Sequence, residues 1–206
     1  SKGIPTEYSI ELNAHNLSRY AKIVQDYEMV PIVEPEVLMD GAHDIDTCYE
    51  ITSNVLKKVF EALDKQNVYL GGILLKPNMV ISGKKCEHQA SVDKVSTMTL
   101  KCLNENVPKE VPGIVFLSGG QSNELATRHL NQMNKDSEGT KWNISFSYGR
   151  ALQQPCLSSW MGSDSNIEEA QKELLKRSKL NSDATSAKYS IDCLLYTSDA
   201  ADEPMR

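Results

Sequence analysis

The chain has 206 residues, with 22 Lys plus Arg against 28 Asp plus Glu, so 22 − 28 leaves a net charge of −6. That acidic balance argues against nucleic acid as a partner, which is met by a basic face; 40% apolar and 24% charged residues suffice for a sizeable core and exclude wholesale disorder. The longest apolar stretches, Tyr69 to Leu75 and Val111 to Leu117, fall far short of the ~20 residues of a membrane-spanning helix, so no membrane role is expected, and the length fits one domain or a piece of a larger one.

Ala14, Leu17, Ala21 and Val24 share one stripe at helical spacing, and the run Met29 to Val33 after them has the length of a buried strand. Cys48, Ile51, Val55, Val59, Phe60 and Leu63 predict a second amphipathic helix, followed by a second strand over Tyr69 to Leu75. Val92, Val95, Met98 and Cys102 form a third helical stripe behind a Ser91 cap, and Gly113 to Leu117 reads as a third strand. Leu125, Ala126, Leu130 and Met133 behind Ser122 give a fourth helix, and Trp142 to Phe146 a fourth strand. Ser165, with Glu168 three residues on, predicts a capping box ahead of a last helix carrying Ile167, Ala170, Leu174 and Leu175. Helices alternating with strands in this way specify an α/β fold with a parallel sheet.

Each predicted strand runs into residues that packing alone would not choose: Glu34-Pro35-Glu36, Lys76-Pro77-Asn78, Ser118-Gly119-Gly120-Gln121-Ser122 and Ser147-Tyr148-Gly149-Arg150. The C-terminal ends of parallel strands are where α/β barrels and open α/β sheets keep their active sites. Lys76 directly follows an apolar strand, where partial desolvation favours the free amine that attacks a carbonyl; the alternative is a surface lysine whose stem lies along the sheet. If strand geometry continues through Pro35, the Glu34 and Glu36 carboxylates point to one face and can divide acid and base roles; the alternative is a solvated strand exit. Ser118-Gly119-Gly120 offers a hydroxyl and closely approachable backbone, and Gly149-Arg150 offers backbone plus a guanidinium. A helix after each loop would add N-terminal amides to an anion site. A Gly-Gly pair alone is often only a turn.

The five cysteines, Cys48, Cys86, Cys102, Cys156 and Cys193, are widely spaced without a C-x-x-C pair, so neither a disulfide framework nor a zinc site is indicated and a reducing cytoplasm fits. His15, His43, His88 and His129 lack metal-ligand spacing and read as surface or hydrogen-bonded histidines. Trp142 and Trp160 read as packing residues. Ser1-Lys2-Gly3-Ile4-Pro5 has neither an initiator Met nor a signal-peptide layout, a first hint of a fragment.

The runs Val30 to Glu36, Leu74 to Val80, Phe116 to Ser122 and Phe146 to Leu152, with Asn13 to Ala21 and Asp40 to Asp44, resemble successive motifs of class I fructose-1,6-bisphosphate aldolase, in order and spacing, to about Ser190. The resemblance implies a (β/α)8 TIM barrel of which residues 1–190 are the C-terminal half, about four βα units. It implies a lyase with no metal and no cofactor that reversibly splits fructose 1,6-bisphosphate into dihydroxyacetone phosphate and glyceraldehyde 3-phosphate in glycolysis, usually as a homotetramer. Family members also bind actin. By the same resemblance Lys76 is the Schiff-base residue, Glu34 the proton shuttle, Glu36 a second acid beside the lysine, and Ser118, Gly119, Gly120, Ser147, Gly149 and Arg150 hold substrate, chiefly its ketone-side phosphate.

Three departures accompany the resemblance. Gly71-Gly72 stands where the family's lysine-strand motif begins Glu-Gly. The family's first half, with an aspartate that helps break the carbon–carbon bond and the site for the other phosphate, is not among these residues. Residues 191–206 read as a non-native or disordered tail in place of the family's mobile, tyrosine-ended one. Another Schiff-base barrel lyase and a non-catalytic interaction fragment are the alternative readings.

Overall fold

The computed structural model describes residues 3–137 and 140–190, so Cys193 and the tail expected over 191–206 lie outside the described residues. The chain runs α1 (Glu7–Asp26), β1 (Ile32–Val33), α2 (Ile45–Lys65), β2 (Leu74–Leu75), α3 (Val92–Asn106), β3 (Gly113–Phe116), α4 (Asn123–Asp136), β4 (Asn143–Phe146), α5 (Arg150–Trp160) and α6 (Ile167–Thr185). Four helices start where a side chain can satisfy an otherwise unpaired amide. Thr6, Asp44, Ser91 and Ser122 accept from the backbone N–H groups of Ser9, Thr47, Lys94 and Leu125.

The strands form one parallel sheet in the order β1-β2-β3-β4. Ile32 pairs with Leu74, Leu75 with Ile114, and Phe116 with Phe146. The sheet and its helices make successive βα units, the repeating element of an α/β barrel. Val33, Ile73, Leu75, Ile114 and Phe116 have no solvent exposure and form the core between sheet and helices. Side chains then fasten neighbouring units. The Gln25 amide of α1 donates to the carbonyls of Tyr69 (2.8 Å) and Gly72 (3.3 Å) and accepts from the Tyr69 amide (2.9 Å), holding the approach to β2 against α1.

Several sequence expectations change. β1 is only two residues long, with Met29, Val30 and Ile32 exposed; among the described residues this strand pairs on one side only, so its apolar run is not covered as a central strand's would be. The second apolar run opens as a 3-10 turn, Leu70–Gly72, with Tyr69 exposed. The Ser165 capping box does not form, because Asp164–Asn166 is a separate 3-10 turn in which Ser165 Oγ lies 2.8 Å from Ser163 Oγ. α6 instead has Asn166 at its cap position, with no side-chain cap bond. Leu174 and Leu175 are exposed, and α6 buries Ala170, Arg177, Leu180, Asn181 and Ala184 against α4 and α5. Trp142 is buried and donates Nε1–H to the Pro108 carbonyl, whereas Trp160 is exposed.

Candidate active site

Every sequence-predicted site residue falls just past the C-terminal end of its strand. The Lys76 amide donates to the Val33 carbonyl (2.8 Å), which extends the β1–β2 ladder by one residue and sets the lysine beside the Glu34 turn. Lys76 Nζ stands 3.1 Å from Glu34 Oε1, with the lysine side chain 19% exposed and the glutamate 44%. A lysine covered to this degree and paired to a neighbouring strand is not a free surface lysine. β1 ends at Val33, so strand alternation does not carry through Pro35. Glu34 pairs with Lys76, while Glu36 lies against the next loop but one: a Cβ built on Gly119 would meet Glu36 Oε1 at 3.0 Å. The two acids thus engage different loops.

The Ser118-Gly119-Gly120 turn is held from the same side. Gly120 has φ +79°, where glycine alone is unstrained. A Cβ there would fall 2.0 Å from Met39 Cγ, so Met39 occupies the space a side chain would need. Ser118 is buried and its carbonyl accepts from the Gln121 amide. Beside it, the Ser147 amide donates to the Phe116 carbonyl (2.9 Å), which brings the β4–α5 loop next to the β3–α4 loop. Gly149 caps α5 without a side chain, and a Cβ there would meet nothing within 4 Å. The Leu152 and Gln153 amides already donate to the Gly149 carbonyl, which leaves the Arg150 and Ala151 amides as the ones an anion at this helix start would meet. Arg150 is exposed. Its charge reaches Asp40, whose carboxyl the Lys84 ammonium at 2.8 Å holds below the usual range, Arg150 and Lys85 adding to the effect.

Four residues that fix this geometry were given no role in the site by the sequence. Asn78 is buried and spans two loops: its Oδ1 accepts from the Val37 amide (2.9 Å), and its Nδ2 donates to Thr52 Oγ1 and the Met79 carbonyl. Tyr148 is buried and donates its hydroxyl to the Ala126 carbonyl of α4 (3.0 Å); burial pushes its ionisation far upward. Met39 is the packing partner of Gly120. His129, read from sequence as a surface or hydrogen-bonded histidine, is 2% exposed with only Nδ1 partnered, 2.6 Å from Gln121 Oε1. Burial lowers its pKa from about 6.5 to about 4. Only Asn78, a polar residue directly ahead of Met79-Val80-Ile81, carried a signal in the sequence.

A cavity of about 860 Å³ lies between α1, α2 and the Glu34–Asp40 loop, lined by Ile10, Leu17, Ile51 and Val55 as well as Glu34 and Glu36. It borders the site without containing Lys76 or either phosphate-loop candidate. Among the described residues no group of three or more His, Cys, Asp or Glu could hold a metal ion, and no helix is long and apolar enough to cross a membrane.

The family model described as fructose-bisphosphate aldolase class-I matches residues 1–203. Fructose-bisphosphate aldolase 1 of Toxoplasma gondii is 49% identical over 189 residues, which are 92% of this chain and 52% of that protein. The cytosolic fructose-bisphosphate aldolase 4 of Arabidopsis thaliana is 46% identical over 191 residues, 93% of this chain and 49% of its own. The solved fructose-bisphosphate aldolase of Plasmodium falciparum, in complex with TRAP and a small-molecule inhibitor, superposes with a TM-score of 0.88 at 47% identity, covering 92% of this chain and 54% of that one. The chain spans about half the length of the relatives it matches. A parallel sheet with its polar groups at the strand ends, and a match running through nearly all of the sequence, agree: the chain belongs to the class-I fructose-bisphosphate aldolase family.

Proposed function

We propose that this chain supplies the imine-forming part of a fructose 1,6-bisphosphate aldolase of glycolysis. The observation that carries the reading is the Lys76 Nζ–Glu34 Oε1 pair at 3.1 Å, at adjacent strand ends of a family member. The amine attacks the ketone carbon, and proton transfer from Glu34 lets the carbinolamine hydroxyl leave as water, giving an iminium. The iminium takes up the electron pair of the breaking carbon–carbon bond while a base outside these residues removes the hydroxyl proton of the departing carbon, and the aldehyde leaves. The resulting enamine is protonated on carbon, and water then attacks the imine, with Glu34 accepting the proton, to release the ketone and restore the amine. Glu36, beside Gly119, is the second acid of the site. Ser118, Gly119, Gly120, Ser147, Gly149 and Arg150 hold the ketone-side phosphate.

Borohydride reduction of a full-length enzyme containing this chain, in the presence of dihydroxyacetone phosphate, leaves a covalent adduct on Lys76, and Lys76→Met abolishes it. An adduct on another lysine, with Lys76→Met still active, overturns the reading. The 206 residues alone do not cleave the bisphosphate in this reading, because misplacing reacting groups by ~1 Å costs ~100-fold and the bond-breaking base lies outside them. Residues 1–190 supply the barrel segment of that enzyme. The assembled enzyme is a cytoplasmic homotetramer with a capacity for actin; the exposed Tyr8, Leu12, Ile23 and Tyr27 of α1 and its flank offer an apolar surface for a subunit contact.

A further inference from the structure

Arg177 lies in the middle of α6, 3% exposed, and its guanidinium has no ion-pair partner among the described residues. A buried charge without a counter-charge is costly unless hydrogen bonds replace its water. Here they do so for Nε and Nη2 in a specific pattern, while Nη1 is buried without a hydrogen-bond partner among the described residues. Nε donates to the Ala151 carbonyl (2.9 Å), and Nη2 donates to the Asn123 carbonyl (2.8 Å), to Thr127 Oγ1 (2.7 Å) and, more weakly, to Asn181 Oδ1 (3.5 Å).

Ala151 is the second residue of α5, next to Arg150, and Asn123 is the first residue of α4, three past Gly120. The Ala151 carbonyl would ordinarily accept from the amide of residue 155, but that residue is Pro155 and has no N–H. The proline thus frees a carbonyl in the first turn of α5, and Arg177 fills it. One planar fork, fixed to a third helix, holds the first turns of the two helices whose N-terminal loops carry Ser118-Gly119-Gly120 and Gly149-Arg150.

We infer that Arg177 is a positioning residue that sets the spacing and orientation of the two phosphate-binding loops, acting through the first turns of α4 and α5 without touching ligand. This rests on the reading of those loops as one phosphate site. It assigns Pro155 a purpose as well: it leaves the Ala151 carbonyl free for the clamp.

The test is hydrogen exchange by mass spectrometry on a full-length enzyme containing this chain, with and without inorganic phosphate, following segments 118–127 and 147–158. In the parent chain both segments gain protection with one shared phosphate midpoint. Arg177→Met raises ligand-free exchange in both segments and moves the midpoint up about tenfold, the scale of one charged hydrogen bond, with the two segments no longer titrating together. Arg177→Lys, which keeps the charge but not the fork, recovers part of the midpoint. Leu180→Ala, which creates a core defect in the same helix, lowers the melting temperature yet leaves the shared midpoint in place. Parent-like exchange and midpoint in Arg177→Met overturn the inference, as does an equal midpoint shift in Leu180→Ala. Should Arg177→Met fail to fold, Thr127→Val and Arg177→Lys decide by the same readouts. If phosphate protects neither segment in the parent, the phosphate-site reading falls, while the clamp stands or falls on the ligand-free exchange of Arg177→Lys and Arg177→Met.

Discussion

Asn78 and Val37 are joined by a 2.9 Å hydrogen bond from the Val37 amide to the Asn78 Oδ1, across 41 residues of sequence. The bond ties the loop that carries Glu34 and Glu36 to the loop that begins at Lys76, so the separation of the acid and the amine is set by a side chain that belongs to neither.

Asn78→Ala removes that tie, leaving the half-buried Val37 amide without its acceptor and the buried Thr52 hydroxyl with only Cys48 Sγ beside it. The loss is about 1–3 kcal/mol of stability, the cost of unsatisfied buried groups, measured by denaturant unfolding. In a full-length enzyme the same substitution slows borohydride-trappable imine formation, because Glu34 no longer sits at a fixed distance from Lys76. Asn78→Asp, which keeps the acceptor for the Val37 amide, retains more of that rate than alanine does.

Arg150→Ala removes the exposed guanidinium at the mouth of α5. Binding of phosphorylated substrate in a full-length enzyme weakens by about 1.5–3 kcal/mol, the range for hydrogen bonds to charged groups. The Michaelis constant for the bisphosphate and the inhibition constant for inorganic phosphate rise together. Unchanged values of both remove Arg150 from the site.

Gly120→Ala meets two obstacles at once, a positive φ and the Met39 side chain. The left-handed conformation costs an L-residue about 1–2 kcal/mol and overpacking typically 1–3. Combining the change with Met39→Ala relieves the second obstacle only. The double variant is therefore less destabilised than the sum of the singles, a coupling that a double-mutant cycle of unfolding free energies reads directly.

His129 is neutral when folded, its pKa lowered by burial from about 6.5 to about 4. The unfolded chain therefore binds the proton more readily than the folded one between those values. The stability tied to a neutral His129 is complete above pH 6.5 and is lost as pH falls from 6.5 toward 4, by about 2 kcal/mol on going from pH 7 to 4.5. His129→Gln, which cannot titrate, loses less on the same acidification. Denaturant unfolding of both chains at the two pH values measures the difference, and equal acid losses would show that His129 does not contribute.

The tertiary structure also explains the thiols. Burial raises Cys48, and it pushes Cys102 to about 11, so at neutral pH these two are unreactive packing groups beside Thr52 and Ser53.

Sequence alone determined the alternation of helices and strands, because apolar spacing and capping residues such as Ser91 and Ser122 act within one or two turns of chain. It also gave the placement of Lys76, Glu34, Ser118 and Arg150 at strand ends, since a polar residue terminating an apolar run is a local fact. Tertiary structure decided the rest. That Glu34 pairs with Lys76 while Glu36 turns to Gly119 depends on the β1–β2 register and on where β1 stops. That Met39 requires a glycine at 120, that Asn78 holds Val37, and that Arg177 completes a carbonyl freed by Pro155 are contacts between segments 26 to 81 residues apart. No local pattern specifies such contacts, because a buried polar group is stabilised only by whichever distant partner the packed chain delivers to it.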